Sequence, residues 1–283
     1  MASNGNTAPA SGAPLRLGCV PYLNSKVLIW NLASRGTFAG ADGNPVPYTL
    51  ILEPPSLLAR RLAAGALDVA LVSSVEFFRH PGYSLVPGLS VTGRGEMWSI
   101  QLFHRVPLAR AKRIGLDPSS ETTNALLRIV LRERLGLAPE YVALAPGENP
   151  RARADLDGFL LIGDPALAFQ DPGYEACDLL KLWDALTGLP FVFAAWLVRE
   201  GADLRGAERW LQAVRDEGLR RSDEVAAAWH AEAGIGLERA KAYVARIVHY
   251  GLGPEEQAGL ERFADYLERH GLARARTLRF YGG

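Results

Sequence analysis

Cysteine is nearly absent from this chain of 283 residues: Cys19 and Cys177 are the only two. That is too few for a disulfide framework, and neither has a second thiol nearby in sequence for a metal pair. Both are expected as reduced core residues. Net charge is absent as well. The 31 Lys and Arg balance 31 Asp and Glu, so no long-range positive field exists to hold nucleic acid or an anionic membrane, and an acidic ligand must be held locally. The longest strongly apolar run, Leu189 to Val198, is about half of the ~20 residues that a bilayer crossing needs. His80, His104, His230, His249 and His270 fall at no H-x-x-x-H or H-x-x-H spacing, which leaves no metal site to assign. Nucleotide and hydrolase signatures are missing too. There is no P-loop and no GxSxG, and Gly93-Arg94-Gly95 lacks the third glycine of a dinucleotide fingerprint.

What is present is an ordinary globular composition, 48% hydrophobic and 22% charged, in a chain long enough to bury roughly 70% of its unfolded surface. Residues 1–14 have neither a basic nor an apolar stretch and read as a disordered tail rather than a secretion signal. From Leu15 onward short β-type runs alternate with amphipathic helices, the pattern of parallel sheet built from βα units. Strands are predicted over 16–20, 49–53, 68–72 and 98–103, and in a second series over 113–117, 141–144 and 158–162. A helix is predicted over 26–32. Pro54-Pro55-Ser56 opens another, with Ser56 as its cap, Leu58 and Leu62 as its buried stripe and Gly65 at its end. Residues 122–135 read as a helix closed by Gly136. Leu189 to Val198 is apolar on both faces, as expected of a strand buried in a parallel sheet. Residues 203–270 turn helical, with Tyr243 on one of three apolar stripes.

Four predicted strand-to-helix junctions carry small polar residues: Tyr22, Asn24 and Ser25; Ser73 and Ser74; Ser120, Thr122 and Thr123; Gly163 and Asp164. In an open parallel sheet such junctions lie on one edge, where ligands bind beyond the carboxyl ends of the strands. A helix start there offers free N–H groups and the positive end of the macrodipole, which suits an anionic ligand in a neutral protein. One such junction alone is more commonly a cap for its own helix; four on one edge point to a site. Ser99, on the strand leaving the first series, is the remaining polar candidate, with a solvated strand face as the other reading.

The stretch Leu57-x4-Leu62-x2-Gly65-x2-Asp68-x-Ala70 resembles the helix–strand unit of type II periplasmic-binding-protein folds. More specific is Gly18-Cys19-Val20-Pro21-Tyr22-Leu23-Asn24, combined with Val72-Ser73-Ser74-x-Glu76, Leu116-Asp117-x2-Ser120-x-Thr122-Thr123, Leu161-Ile162-Gly163-Asp164-x-Ala166-Leu167 and Trp183-x3-Thr187-Gly188-Leu189-Pro190-Phe191. Together these resemble the chorismate dehydratases of the futalosine route to menaquinone, over roughly Leu15 to Val198. The resemblance implies an α/β, two-lobed fold, each lobe a mostly parallel sheet flanked by helices, with a helical C-terminal segment. The first lobe is expected over 15–103 plus 200–283 and the second over 104–199. It also implies a cytoplasmic, cofactor-free lyase that converts chorismate to 3-[(1-carboxyvinyl)oxy]benzoate and water, without nucleic-acid or membrane partners. A sister enzyme acting on a cyclic futalosine derivative, and a non-catalytic small-anion binding module, are the alternatives on the same fold.

On that resemblance the expected site is Tyr22, Asn24, Ser73, Ser74, Ser99, Ser120, Thr122, Thr123, Gly163 and Asp164. The helix starts at Asn24 and at Thr122 and Thr123 are expected to bind carboxylates, Ser73, Ser74 and Ser99 to fix the ring, and Asp164 to contact the hydroxyl or order a loop. Glu76 and Asp164 are the acidic candidates for the base, Glu76 with ion pairing to Arg79 as the equal alternative. The substrate's own enolpyruvyl carboxylate is the third. Lobe closure is expected to hinge near Ser99–Arg105 and Phe193–Arg199.

Overall fold

The computed structural model describes residues 12–283, so most of the tail expected over 1–14 lies outside the described residues. Among the described residues eleven strands form two sheets: β1 (Leu15–Cys19), β2 (Thr37–Ala39), β3 (Pro45–Leu52), β4 (Val69–Ser73), β5 (Ser84–Gly93), β6 (Ile100–His104), β7 (Arg113–Leu116), β8 (Glu140–Ala143), β9 (Gly158–Ile162), β10 (Glu175–Asp178) and β11 (Phe191–Val198). The first sheet has the order β2-β3-β1-β4-β11-β5, the second β10-β6-β9-β7-β8. Among these strands β2 and β11 in the first sheet and β6 in the second run opposite to the other strands of their sheets. Both lobes are therefore mostly parallel α/β layers, as expected. The carboxyl ends of β1, β4, β7 and β9 carry the four polar junctions.

Among the described residues ten α-helices cover the sheets: α1 (Leu32–Arg35), α2 (Pro55–Ala63), α3 (Val75–Arg79), α4 (Glu121–Leu135), α5 (Gly163–Ala168), α6 (Leu179–Thr187), α7 (Ala207–Arg220), α8 (Ser222–Trp229), α9 (Leu237–Ala242) and α10 (Pro254–Arg269). Leu58 and Leu62 are fully buried under α2, as its periodicity predicts. Ser56 does not cap that helix; Pro54 takes the cap position without a side-chain bond. The helix expected over 26–32 is instead a 3-10 run, Leu23–Ile29, followed by the single turn α1. Its Leu23 and Ser25–Ile29 are all buried. A segment covered on every side has no amphipathic period to distinguish the two helix types.

Strand β5 escapes sequence reading because Pro87 and Gly88 interrupt it. Both are tolerated because β5 is an edge strand, with register shifts against β11. Strand β11 is buried between β4 and β5 but is antiparallel to both. A run apolar on both faces reports burial, and direction follows from the connection instead. Pairing also moves the expected lobe boundaries: β6 belongs to the second sheet and β11 to the first. The chain crosses between lobes after Gly93 and again after Thr187, so both crossings precede the segments expected as hinges. Over the second crossing, Trp183 of α6 packs edge-on against Phe191 (ring centroids 5.0 Å apart) and Tyr266 of α10 (5.9 Å).

One ion-pair cluster ties the first lobe's two chain segments. Asp68 accepts from Arg16 Nη2 at 2.6 Å and from Arg199 Nη2 at 3.3 Å. Burial pushes its carboxyl upward, but the Arg16 side chain, backbone N–H and charge, with Arg199, hold it below the ordinary carboxylate range. A depressed folded pKa stabilises above the unfolded value and is lost as pH falls through the folded one. Asp68→Asn is therefore expected to cost about 2 kcal/mol near neutrality, discounted because Arg16 is partly exposed. Denaturant midpoints against pH should show that gap closing below about pH 4.

Candidate functional site

The site begins with the turn after β1. Ser25 Oγ donates to Val20 O (2.6 Å) and Tyr22 O (2.8 Å), locking the chain into the 3-10 run. That run aims Tyr22 and Asn24 across the cleft. The Tyr22 ring lies on Gly163: a Cβ there would stand 2.8–3.0 Å from three ring carbons, and Gly163 has φ +63°. The Leu23 N–H donates to Asp164 Oδ1 at 2.9 Å. At a second contact between the lobes, Thr122 Oγ1 accepts from the Val75 N–H at 3.0 Å, with Ser74 Oγ 3.4 Å away. Ser74 Oγ donates to Val192 O at 2.7 Å. The two lobes are closed on each other.

Between them is a cavity of about 40 Å³ lined by Tyr22, Asn24, Ser73, Ser120, Thr123 and Gly163 together with apolar residues of both lobes. No lining residue is charged. Asn24 Oδ1 and Ser73 Oγ are buried there without a hydrogen-bond partner, a costly arrangement that a bound polar group removes. On the far side of Tyr22 a larger cavity of about 490 Å³ runs toward Arg60 and Arg151 and is lined by Asp117 and Ser119. A cavity near 150 Å³ accommodates benzene. A six-membered ring therefore reaches the inner cavity only if the lobes part or Tyr22 swings toward the larger one.

Six of the ten residues expected from the sequence thus line one cavity, and the others stand behind it. Ser74 and Thr122 bond across the lobe junction. Ser99, fully buried, accepts from Tyr243 Oη at 2.6 Å. Asp164 is engaged by Leu23; burial pushes its carboxyl above the ordinary range, while the Leu23 N–H and the charge of Lys26 pull it back. Ser120 also caps α4, accepting the Thr123 N–H at 3.3 Å, so the capping and the site readings hold together. Glu76 lies outside both cavities, paired with Arg79 (3.2 Å) and His80 (3.3 Å). The ion-pair alternative describes it.

Sequence reasoning missed four residues. Lys26 is buried, with Nζ 5.2 Å from the Trp229 ring centre, and places one positive charge behind the site. Asp117 and Ser119 sit inside the quoted junction motif; the Ser119 hydroxyl donates to Asp117, and both residues line the larger cavity beside Tyr22. Tyr243 gives no signal, because a tyrosine on an apolar stripe reads as core. Of the cysteines, Cys19 is fully buried and its thiol is pushed up to about 12 by burial, while Cys177 is only partly buried and reaches about 11. Neither is a ready nucleophile. Among the described residues no group of His, Cys, Asp and Glu could hold a metal ion, and no helix is long and apolar enough to cross a membrane.

Comparison with known proteins agrees with this architecture. The alkanesulfonate-binding protein of Xanthomonas axonopodis superposes with TM-score 0.67 at 16% identity, covering 95% of this chain and 97% of that one. A Candida albicans protein described as having the generic periplasmic binding protein fold superposes with TM-score 0.60 at 12% identity, covering 96% and 99%. At such identities the likeness is one of fold alone. A chorismate dehydratase of Thermus thermophilus is 33% identical over 266 residues, 87% of this chain and 95% of that protein. The model of a family described as menaquinone biosynthesis matches residues 15–269. By that span, and by that identity, the chain belongs to the menaquinone biosynthesis family.

Proposed function

We propose that this chain is a chorismate dehydratase: a cofactor-independent hydro-lyase of the cytoplasm that converts chorismate to 3-[(1-carboxyvinyl)oxy]benzoate and water. The observation that carries the reading is the uncharged cavity between the lobes, lined by Asn24 and Ser73, whose Oδ1 and Oγ are buried without a hydrogen-bond partner. An amide oxygen accepts and a hydroxyl can donate. Together they complement a hydroxyl group on the ligand, Asn24 Oδ1 accepting a hydrogen bond from its O–H and Ser73 Oγ donating one to its oxygen.

Dehydration removes the proton at C3 and the hydroxyl at C4 of the ring, and the electron pair of the C–H bond completes an aromatic system. Aromatisation supplies the driving force. The protein has to align the breaking bonds, exclude water and help the hydroxyl leave. Ser73 donates to the departing oxygen and Asn24 orients that hydroxyl, closure at Gly163 and Thr122 serves the first two tasks, and the proton taken from C3 joins the departing hydroxide as water. Carboxylate binding falls to the first turn of α4, with Ser120 and Thr123. The start of the 3-10 run cannot serve, because its leading N–H is given to Asp164. Glu76 is held in ion pairs and Asp164 accepts a backbone bond, so the enolpyruvyl carboxylate of the substrate is the base this arrangement favours.

The test is incubation of the purified chain with chorismate, following the aromatic product by ultraviolet absorbance. Binding without product would leave a binding module and end the enzymatic reading. Within that assay Glu76→Gln is expected to keep turnover within about threefold of the parent, because Glu76 lines neither cavity. Asn24→Ala is expected to lose about a hundredfold, as for other preorganised polar groups facing the reacting atoms. A Glu76→Gln enzyme that binds chorismate yet does not turn over reverses the assignment of the base.

A further inference from the structure

The second lobe meets the inner cavity at two places, and one buried residue joins them. Ser120 and Thr123 at the start of α4, and Ile162 and Gly163 at the end of β9, are with Ile100 its lining from that lobe. Asp117, the buried residue that follows β7, is bonded to both elements. Its carbonyl accepts from Asn124 Nδ2 at 2.8 Å, which holds the first turn of α4. Its carboxylate takes the Ser119 hydroxyl and the Ser119 N–H (2.8 Å) on Oδ1, and the Ile162 N–H (3.2 Å) on Oδ2.

The bond to Ile162 continues a ladder that has run out of main chain. Parallel pairing of β7 with β9 ends at Gly115 and Phe159, because β7 then turns away toward α4. Successive N–H groups of a strand point to opposite neighbours. The Gly163 N–H goes to Ser99 O, at 2.9 Å, so the Ile162 N–H faces the gap that β7 leaves. A buried N–H needs an acceptor there, and the Asp117 carboxylate supplies it. Its partners are one hydroxyl and two main-chain N–H groups, with no cation among them. Burial pushes the carboxyl above its ordinary range, against the pull of those donors. Two oxygens serving donors from two chain segments fix the spacing between the segments. We propose that Asp117 is a positioning residue for chorismate binding: its carboxylate holds the start of α4, where the substrate carboxylate is bound, at a set distance from Gly163, on which Tyr22 closes. This role rests on the proposed reaction and deepens it at the same site.

Asp157 supplies an internal control, because it makes the matching bonds at the opposite end of the same two strands. It precedes β9, and its Oδ2 accepts the Lys112 N–H at 2.7 Å and the Arg113 N–H at 3.1 Å at the start of β7. Neither Asp157 nor these partners line either cavity. The experiment measures kcat and KM for chorismate, and thermal midpoints, for the parent chain, Asp117→Asn, Ser119→Ala and Asp157→Asn. An amide keeps one acceptor and puts a donor in place of the other, so Asp117→Asn leaves Ser119 or Ile162 unserved. It is expected to raise KM about tenfold or more, the scale of one hydrogen bond to a charged group. A raised KM reports lost substrate binding, whereas partial unfolding removes active molecules and lowers kcat alone. Ser119→Ala removes one donor and leaves the carboxylate in place; it should raise KM about threefold, and it decides the matter if Asp117→Asn does not fold. Asp157→Asn is expected to lower the thermal midpoint and keep the parental KM. Parental KM in Asp117→Asn, parental KM in Ser119→Ala where that variant alone folds, or an equal rise in Asp157→Asn overturns the role and leaves the reaction standing. A parent chain that forms no product removes the reaction and this role with it.

Discussion

Gly163→Ala is expected to lower turnover about a hundredfold while leaving both lobes folded. Two effects combine. The position has φ +63°, where a side chain costs about 1–2 kcal/mol. The added Cβ also meets the Tyr22 ring at 2.8–3.0 Å, closer than carbon atoms approach. The ring is the only part free to yield, and its way out is the larger cavity beside it. Moving it separates Tyr22 from the second lobe and weakens the neighbouring bond from Leu23 to Asp164. Displacements near 1 Å in an aligned site can reduce rates about a hundredfold. The expected thermal shift is a few degrees, and small-angle scattering on ligand addition should show less compaction than in the parent. Parental kcat in this variant would falsify the claim that the Tyr22–Gly163 contact closes the site.

The second large effect concerns stability. Alanine in place of glycine inside a helix ordinarily stabilises by about 1 kcal/mol. At Gly218, in α7, the reverse is expected: a Cβ would overlap the backbone carbonyl of Val27 in the 3-10 run. Neither backbone can rotate away, so α7 must lift from the segment that carries Asn24. Overpacking of this kind typically costs about 1–3 kcal/mol, and Gly218→Ala is placed at the upper end because the clash is with main chain. Gly236, with nothing within 4 Å and no positive φ, is the comparison: Gly236→Ala should change the denaturant midpoint little. Turnover should fall with Gly218→Ala and not with Gly236→Ala.

These two glycines illustrate what was legible in the chain and what was not. Gly163 was readable as a site residue because it follows an apolar strand and precedes Asp164, a local pattern. That Tyr22 would lie on it was not, because the partners are 141 positions apart. The strand-to-helix junctions were legible for the same local reason: a β run ending in small polar residues announces both a helix start and the edge of a sheet. Strand β5 was hidden by Pro87 and Gly88, which an edge position tolerates. The expected lobe boundaries failed at β6 and β11, since sheet membership is decided by pairing partners and apolar patterning does not encode them.

The sequence by itself determined the α/β alternation, the four polar junctions, the lack of charge with which to grip an anion, and the family to which these motifs belong. All of these follow from residues within a few positions of one another. Only the tertiary structure decided which junction residues line a common cavity, that Glu76 is spent on Arg79 and His80, and that Tyr243 bonds to Ser99. The physical reason is that a hydroxyl or amide has no fixed role until its partners are known. Its donors and acceptors are allotted by groups that folding brings from distant parts of the chain.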